Sequence, residues 1–275
     1  MKTLAELQAE SALPQLEARM LLEAVLDKPR SWLIAHADAA VSAKVELAFD
    51  ALAARRIAGE PIAYILGRRE FYGLDFRVSP AVLIPRPETE LLIELALARI
   101  PEGEPARIVD LGTGSGAIAV TLAKLRHQAR VTAVDVDYAA LSIARANAKQ
   151  QRVSVRCFCG DWFGALQGER FDLVVSNPPY VASADPHLQA GDLRFEPQRA
   201  LAGGADGMDC IRAIVAQAPA HLGPGAWLLL EHGYDQAEAS RALLEAQGLQ
   251  EVQSWPDLAG IPRVSGGRKA ADVLV

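Results

Sequence analysis

Val109-Asp110-Leu111-Gly112-Thr113-Gly114-Ser115-Gly116-Ala117 decides how this sequence folds. Its apolar start reads as the end of a strand, and three glycines at alternate positions then open a helix. Glycines there let a backbone approach a ligand closely, and the helix N-terminus presents N–H groups with no intrahelical partner. Gly112 to Ala117 also satisfies the dinucleotide fingerprint with its permitted final alanine. No Gly-Lys-Ser/Thr follows, which excludes a nucleoside triphosphate P-loop.

Downstream of that turn, strands and helices alternate. Strand patterns fit Arg107 to Leu111, Val131 to Asp135, Val153 to Cys159, Phe171 to Ser176, Ala226 to Glu231 and the last residues to Val275. Helical patterns fill the gaps near 116–126, 138–150, 206–221 and 234–247. This rhythm predicts an α/β fold, a parallel sheet covered by helices on both faces. The connection from Asn177 to about Gly204 is long, and structureless loops of that length inside a compact domain are usually functional.

Upstream the period changes. Leu74, Phe76 and Val78 alternate with Gly73, Asp75 and Arg77, a strand pattern, and Val82-Leu83-Ile84 is expected to return after a Ser79-Pro80 turn. Pro85 and Pro87 stiffen the approach to a helix from Glu88 to about Arg99. The first sixty residues read as helices only. Ala18, Leu21, Leu22 and Val25 fall at i, i+3, i+4 and i+7 behind Pro14, and Val45, Ala48, Phe49 and Leu52 repeat the spacing in a helix stopped by Gly59 before Pro61. A shorter helix is expected between Ser31 and Ala37. The expected organisation is a helical bundle over 1–70, a linking hairpin over 71–84, and an α/β domain over 85–275.

Three further clues gather at the expected carboxyl ends of the strands, where ligands bind in open α/β folds. Asp135 can accept both ribose hydroxyls of an adenosine, a demand common to NAD and S-adenosylmethionine, although Asp135 or Asp137 could also simply cap the next helix. Asp161-Trp162 can hold an adenine between a carboxylate and an aromatic ring. Asn177-Pro178-Pro179-Tyr180 decides between cofactors. Neither proline has an N–H, both have fixed φ, and Asn177 is pushed toward extended backbone. The product is a stiff ledge that suits a planar amide or amino nitrogen. The Asn177 side-chain oxygen and the Pro178 carbonyl can each accept one N–H, while Tyr180 stacks on the flat group.

These residues resemble the S-adenosylmethionine-dependent methyltransferases that modify planar nitrogens, and more narrowly the bacterial release factor glutamine methyltransferases (PrmC/HemK). The resemblance extends to Gly59-Glu60-Pro61-Ile62-Ala63-Tyr64, Arg69-Glu70-Phe71-Tyr72, Ile84-Pro85-Arg86-Pro87-Glu88-Thr89-Glu90, Arg194-Phe195-Glu196-Pro197 and Leu230-Glu231-His232-Gly233. It implies a Rossmann-like class I methyltransferase sheet behind a substrate-docking helical domain. It also implies N5-methylation of the glutamine in the Gly-Gly-Gln motif of class-1 peptide chain release factors. By that resemblance Gly112, Thr113, Gly114, Ser115 and Gly116 form the cofactor loop, with Asp135, Asp161, Trp162 and Asn177 also on the cofactor. Asn177, Pro178, Pro179 and Tyr180 hold substrate, and Asn177, Pro178 and Tyr180 carry catalysis. Two alternatives remain open: an amino methyltransferase of DNA or RNA bases, and an NAD-dependent oxidoreductase.

Composition bounds the rest. The chain has 275 residues, 51% hydrophobic and 23% charged, with 28 basic against 34 acidic residues, the proportions of an ordinary globular protein. A net charge of -6 gives no polybasic footprint, so direct nucleic-acid binding is not expected. Glu6, Glu10 and Glu17 interrupt the start, which is read as no signal peptide, and no apolar run reaches the length of a membrane span. Cys157, Cys159 and Cys210 form no paired framework and are expected to be reduced thiols in a cytoplasmic protein, with the first two on one face of a strand. The five histidines show no metal-ligand spacing; His232, beside Glu231 at a strand end, is the one worth testing.

Overall fold

The computed structural model describes residues 2–271, and the chain divides into two compact units, Met1–Arg68 and Arg69–Val275. The first unit is helical. Helix α1 (Leu4–Glu10) starts on a reciprocal cap, in which the Thr3 hydroxyl accepts from the Glu6 N–H and the Glu6 carboxylate accepts from the Thr3 N–H. It is followed by α2 (Gln15–Leu26), α3 (Arg30–Ala35), α4 (Ala43–Ile57) and α5 (Ile62–Leu66). Leu7, Leu21, Leu22, Phe49 and Ala53 make the bundle core. Ala48 was expected on the buried face of α4, but it is exposed and Ala53 takes that place. Arg56 of α4 donates to both carboxylate oxygens of Glu17 on α2 at 2.8 and 3.0 Å, pinning the two longest helices of the bundle.

The second unit opens with a hairpin, β1 (Arg68–Phe71) and β2 (Leu74–Arg77), which reverses at Tyr72–Gly73. Both turn residues have positive φ, 51° and 73°, as a two-residue hairpin turn requires. This corrects the expected linker over 71–84: the reversal comes earlier, and Val82–Ile84 is not a strand. Phe71 and Phe76 decide the register, because the tight turn stacks their rings edge-to-face at 6.1 Å inside the core. Val82 and Ile84 are buried, but the Ile84 N–H is satisfied by the Glu196 carboxylate at 3.0 Å instead of by a ladder.

The α/β layer then follows: α6 (Glu90–Arg99), β3 (Arg107–Leu111), α7 (Ala117–Leu125), β4 (Arg130–Asp135), α8 (Tyr138–Gln151), β5 (Val155–Cys159) and β6 (Phe171–Ser176). After a long connection come α9 (Asp209–His221), β7 (Leu222–Glu231), α10 (Ala237–Ala246), β8 (Gln250–Pro256) and β9 (Pro262–Arg268). The connection is not structureless, since it carries 3-10 turns at Pro186–Gln189, Gly191–Phe195 and Gln198–Ala200.

The sheet order is β5-β4-β3-β6-β7-β9-β8, parallel from β5 to β7, with β9 antiparallel to both of its neighbours. Side chains alternate across it with period two. Ile108, Leu173, Val175 and Leu229 pack beneath α6 and α7, while Val109, Leu111, Val174, Leu228 and Leu230 face α9 and α10. The expectation of one strand in the last residues is corrected in two ways. The C-terminal edge is an antiparallel pair, β8 and β9, and residues 272–275 lie outside the described residues. Order reverses between β3 and β6, so their carboxyl ends open a crevice.

Candidate active site

The glycine turn leaves β3 at that crevice. Gly112 and Thr113 both donate their N–H to the Val134 carbonyl at 2.9 Å, which ties the turn to the end of β4. Gly112, Gly114 and Gly116 all have positive φ. They differ in what a side chain would meet. At Gly116, the N-cap of α7, a Cβ would lie 3.0 Å from the Ala144 Cβ of α8, so the glycine allows close helix packing. At Gly112 it would make ordinary van der Waals contact with the Trp162 ring at 3.5 Å, and at Gly114 it would meet nothing within 4 Å.

Behind the turn Asp110 is fully buried. The Thr113 hydroxyl and the Ala119 N–H donate to one of its carboxylate oxygens at 2.6 and 3.2 Å, and the other oxygen has no partner. Burial pushes its pKa up to about 7, against those two hydrogen bonds. Asp135, at the end of β4, accepts from the Gly114 N–H at 2.8 Å on one oxygen and from the Asp137 N–H at 2.9 Å on the other. Burial raises its pKa, opposed by the same two bonds. Asp137 itself caps α8 through the Ala139 N–H, so the capping role falls to Asp137 and not to Asp135. Trp162 follows β5 with φ of 45°, a conformation rare for a bulky residue, and its ring covers Gly112.

These residues enclose one cavity. Gly112, Thr113, Gly114, Ser115, Asp135, Asp161, Trp162, Asn177 and Pro179 line it; Gly116, Pro178 and Tyr180 do not. Asn177 leaves β6 with its side-chain N–H end donated to the Thr89 hydroxyl at 3.1 Å, so the amide oxygen is its uncommitted end. Tyr180 turns away from the cavity wall. Its hydroxyl donates to the Glu231 carboxylate at 3.2 Å, its carbonyl accepts from the Gln236 side chain at 2.9 Å, and burial drives its pKa upward. No hydrogen bond among the described residues ends on the Pro178 carbonyl.

The ledge is backed by glycines. A Cβ on Gly203 would fall 2.5 Å from the Pro179 carbonyl oxygen, and one on Gly207 would fall 2.3 Å from that of Tyr180. Sequence reasoning did not single out this backing, nor Thr89 and Glu231 as individual groups; their signal lay only inside longer matched stretches. Two ion pairs involve lining residues: Glu196, with its side chain fully buried, pairs with Arg86, and Arg199 meets Asp137 at 3.1 Å.

His232 belongs to a different network. Its Nδ1 must donate to the Gly233 carbonyl at 2.8 Å, which makes Nε2 the acceptor of the Ser265 hydroxyl at 2.8 Å. Ser265 in turn accepts from Ser254, which accepts from Arg241. Burial lowers the imidazole pKa, so the ring is a neutral strut. Cys157 and Cys159 are half-buried on β5, Cys210 lines the cavity, and no group of residues suited to a metal ion occurs among the described residues. No helix among them is long and apolar enough to cross a membrane.

Residues 88–196 match the family described as Methyltransferase small domain, and residues 2–67 match the PrmC N-terminal domain. The chain is 53% identical to the release factor glutamine methyltransferase of Bordetella pertussis, over 97% of this chain and 99% of that one. It is 50% identical to the protein of that name from Xylella fastidiosa, over 94% and 95%. Among solved structures, a methyltransferase from Pyrococcus furiosus shares the fold at a TM-score of 0.56 and 22% identity, covering 79% of this chain and 97% of that one.

Proposed function

This chain belongs to the release factor glutamine methyltransferases, and we propose that it methylates the side-chain N5 of the glutamine in the Gly-Gly-Gln motif of class-1 peptide chain release factors, in the cytoplasm. The enzyme is an S-adenosylmethionine-dependent methyltransferase with a Rossmann-like class I fold, which sets the NAD-dependent oxidoreductase aside. The observation that carries the finer reading is Asn177: its amide N–H is held by Thr89, which turns an acceptor oxygen outward beside the glycine turn.

The chain's residues fit the methyl donor. The open space over Gly114 leaves the turn accessible. Asp135 has lone pairs beyond the two it uses, enough to accept ribose hydroxyls. Asp161 and the Trp162 ring suit an adenine. When bound, S-adenosylmethionine supplies an electrophilic methyl on a sulfonium.

The obstacle is then the nucleophile, because an amide nitrogen shares its lone pair with its own carbonyl. The Asn177 oxygen and the Pro178 carbonyl each accept one of its N–H groups. That leaves electron density on nitrogen and fixes it for in-line attack at about 3–3.5 Å. Positive charge develops on nitrogen as the methyl arrives, and the two acceptor dipoles stabilise it without reorganising. No strong base is required, since the amide proton becomes acidic only then. Tyr180, expected from the sequence to stack on the flat group, instead braces the ledge from behind through its hydroxyl on Glu231 and its carbonyl on Gln236. The helical unit over residues 1–70 docks the release factor, and no direct contact with nucleic acid is required.

Mass spectrometry of a class-1 release factor incubated with the enzyme and S-adenosylmethionine tests the reading. One added methyl on the Gly-Gly-Gln glutamine is expected. Transfer to a DNA or RNA base, with none to the release factor, would overturn it.

A further inference from the structure

Two stretches far apart in the chain both line the cavity: six residues between Ala81 and Thr89, and Asn177, Pro179, Arg199 and Ala200 of the long connection. The first stretch has no strand ladder to hold it. Among the described residues, 83–88 are tied to distant parts of the chain by two hydrogen bonds, and both end on Glu196. The Ile84 N–H donates to one of its carboxylate oxygens at 3.0 Å, and the Arg86 guanidinium donates to the other.

From Arg86 the anchor runs on to the ledge. The Thr89 N–H donates to the Arg86 carbonyl at 3.1 Å, closing a 3-10 turn over Pro87–Thr89. Pro85 and Pro87 fix φ on either side of Arg86, so this turn has little freedom of its own. At its end the Thr89 hydroxyl accepts the Asn177 side-chain N–H at 3.1 Å. A continuous series of bonds therefore leads from Glu196 through Arg86 and Thr89 to the amide of Asn177. Burying a carboxylate costs free energy that close pairing must offset, and apolar residues could join two segments without that cost. The Glu196 side chain is fully buried all the same. What the carboxylate adds is direction, because two acceptors on one planar group fix a backbone N–H and a guanidinium together.

We propose that Glu196 is a positioning residue for methyl transfer. It anchors Ile84 and Arg86, the stiff turn carries that anchor to Thr89, and Thr89 keeps the Asn177 amide oxygen free for substrate. The inference rests on the reading of Asn177 as the acceptor of the glutamine N–H.

The test is Glu196→Gln and Glu196→Asp in the full-length enzyme, with a class-1 release factor as substrate at saturating S-adenosylmethionine. Rates are taken well below each Tm and expressed per folded molecule. The glutamine keeps an acceptor for Ile84 but sets N–H groups against those of Arg86. The aspartate keeps the charge and is one methylene too short to reach both partners. In each variant kcat is expected to fall by about tenfold to a hundredfold, the scale of a misplacement of about 1 Å near reacting atoms, with the KM for release factor within about threefold of wild type. The double variant Glu196→Gln/Asn177→Ala should be no slower than the slower single one, because the first residue acts through the second.

A lowered Tm with an undiminished kcat per folded molecule would make Glu196 a stability residue and overturn the proposal. So would a full rate in Glu196→Asp, since charge alone would then suffice, or losses that multiply in the double variant. If neither Glu196 variant folds, Arg86→Gln decides, on a side chain that is 31% exposed. It spares the Ile84 bond and should lower kcat by about threefold or more; a wild-type kcat there sinks the anchor. Asn177→Ala run alongside separates the two readings. A slow Asn177→Ala with fast Glu196 variants refutes only the anchor, whereas a fast Asn177→Ala refutes the assignment beneath it.

Discussion

Gly203→Ala perturbs the substrate ledge without touching a residue that meets cofactor. Gly203 does not need positive φ, so the added methyl group acts through volume alone. Its Cβ would lie 2.5 Å from the carbonyl oxygens of both Pro179 and Gly207, where contacts below 3.0 Å are essentially never found. At least half an ångström must therefore be given up, and little nearby can yield. The Gly203 N–H is bonded to Val181, its carbonyl to the Asp209 N–H, and Val181 to Leu201, all within 2.8–2.9 Å. The two prolines cannot adjust φ. Overpacking of this kind costs about 1–3 kcal/mol of stability. A misplacement of about 1 Å near reacting atoms can cost about a hundredfold in rate, so turnover should fall by roughly tenfold or more. The assay is kcat on a release factor at saturating S-adenosylmethionine, with calorimetric cofactor affinity expected within about threefold of wild type and a lowered Tm. A destabilised variant with an undiminished kcat would refute the argument that ledge position controls the rate. Equal losses in kcat and cofactor affinity would mean that the ledge and cofactor sites deform together.

Four further outcomes follow from the site. Asp135→Ala should weaken S-adenosylmethionine binding by more than about tenfold, from charge-assisted bonds of about 1.5–3 kcal/mol, and leave release factor affinity alone; unchanged cofactor titrations would return Asp135 to the role of bracing the Gly114 turn. Asn177→Ala should lower kcat by about 10²–10³-fold, by analogy with an oxyanion-hole donor, and added cofactor should not recover it; Asn177→Asp keeps an acceptor and should retain part of the rate. His232→Phe should cost about 1–3 kcal/mol of stability by orphaning Ser265 and the Gly233 carbonyl, with kcat within about twofold in rate assays. Because the folded ring has a pKa below its ordinary 6.5, the wild-type contribution of His232 is present above that pH and lost below it, which denaturant midpoints in the two proteins would show. Removing residues 1–67 should spare cofactor binding and sharply reduce methylation of an intact release factor, provided circular dichroism shows the remainder folded.

The sequence was most legible where chemistry and backbone geometry coincide. The glycine turn, Asp135, Trp162 and Asn177 each follow a strand, and the alternation of strands with helices was enough to put them on one sheet edge. What escaped it depended on contacts distant in the chain. Val82–Ile84 has strand composition but is held by Glu196, more than a hundred residues away, which no local pattern announces. The final strand was expected in the last residues, but β9 lies over Pro262–Arg268, where a Cβ at Gly266 would lie 2.6 Å from Leu228 and Leu229, a distant contact that the local pattern does not show. Ala48 kept the helical spacing yet faces solvent, since spacing places a stripe only to within one residue on either side. Tyr180 was read for its ring alone, and its hydroxyl is what ties the ledge to β7.

The position of β9 has a consequence for how the protein comes into being. It is the last described strand in the chain, yet it lies between β7 and β8, both of which are synthesised before it. The cofactor half of the crevice, on β3 to β6, needs nothing beyond residue 177 for its strands. The strand bearing Glu231 is different, because until Pro262–Arg268 emerges and inserts, β7 is a bare edge with unpaired backbone groups. Chains cut short before residue 262 would expose β7 as a sticky edge, making them candidates for aggregation and proteolysis.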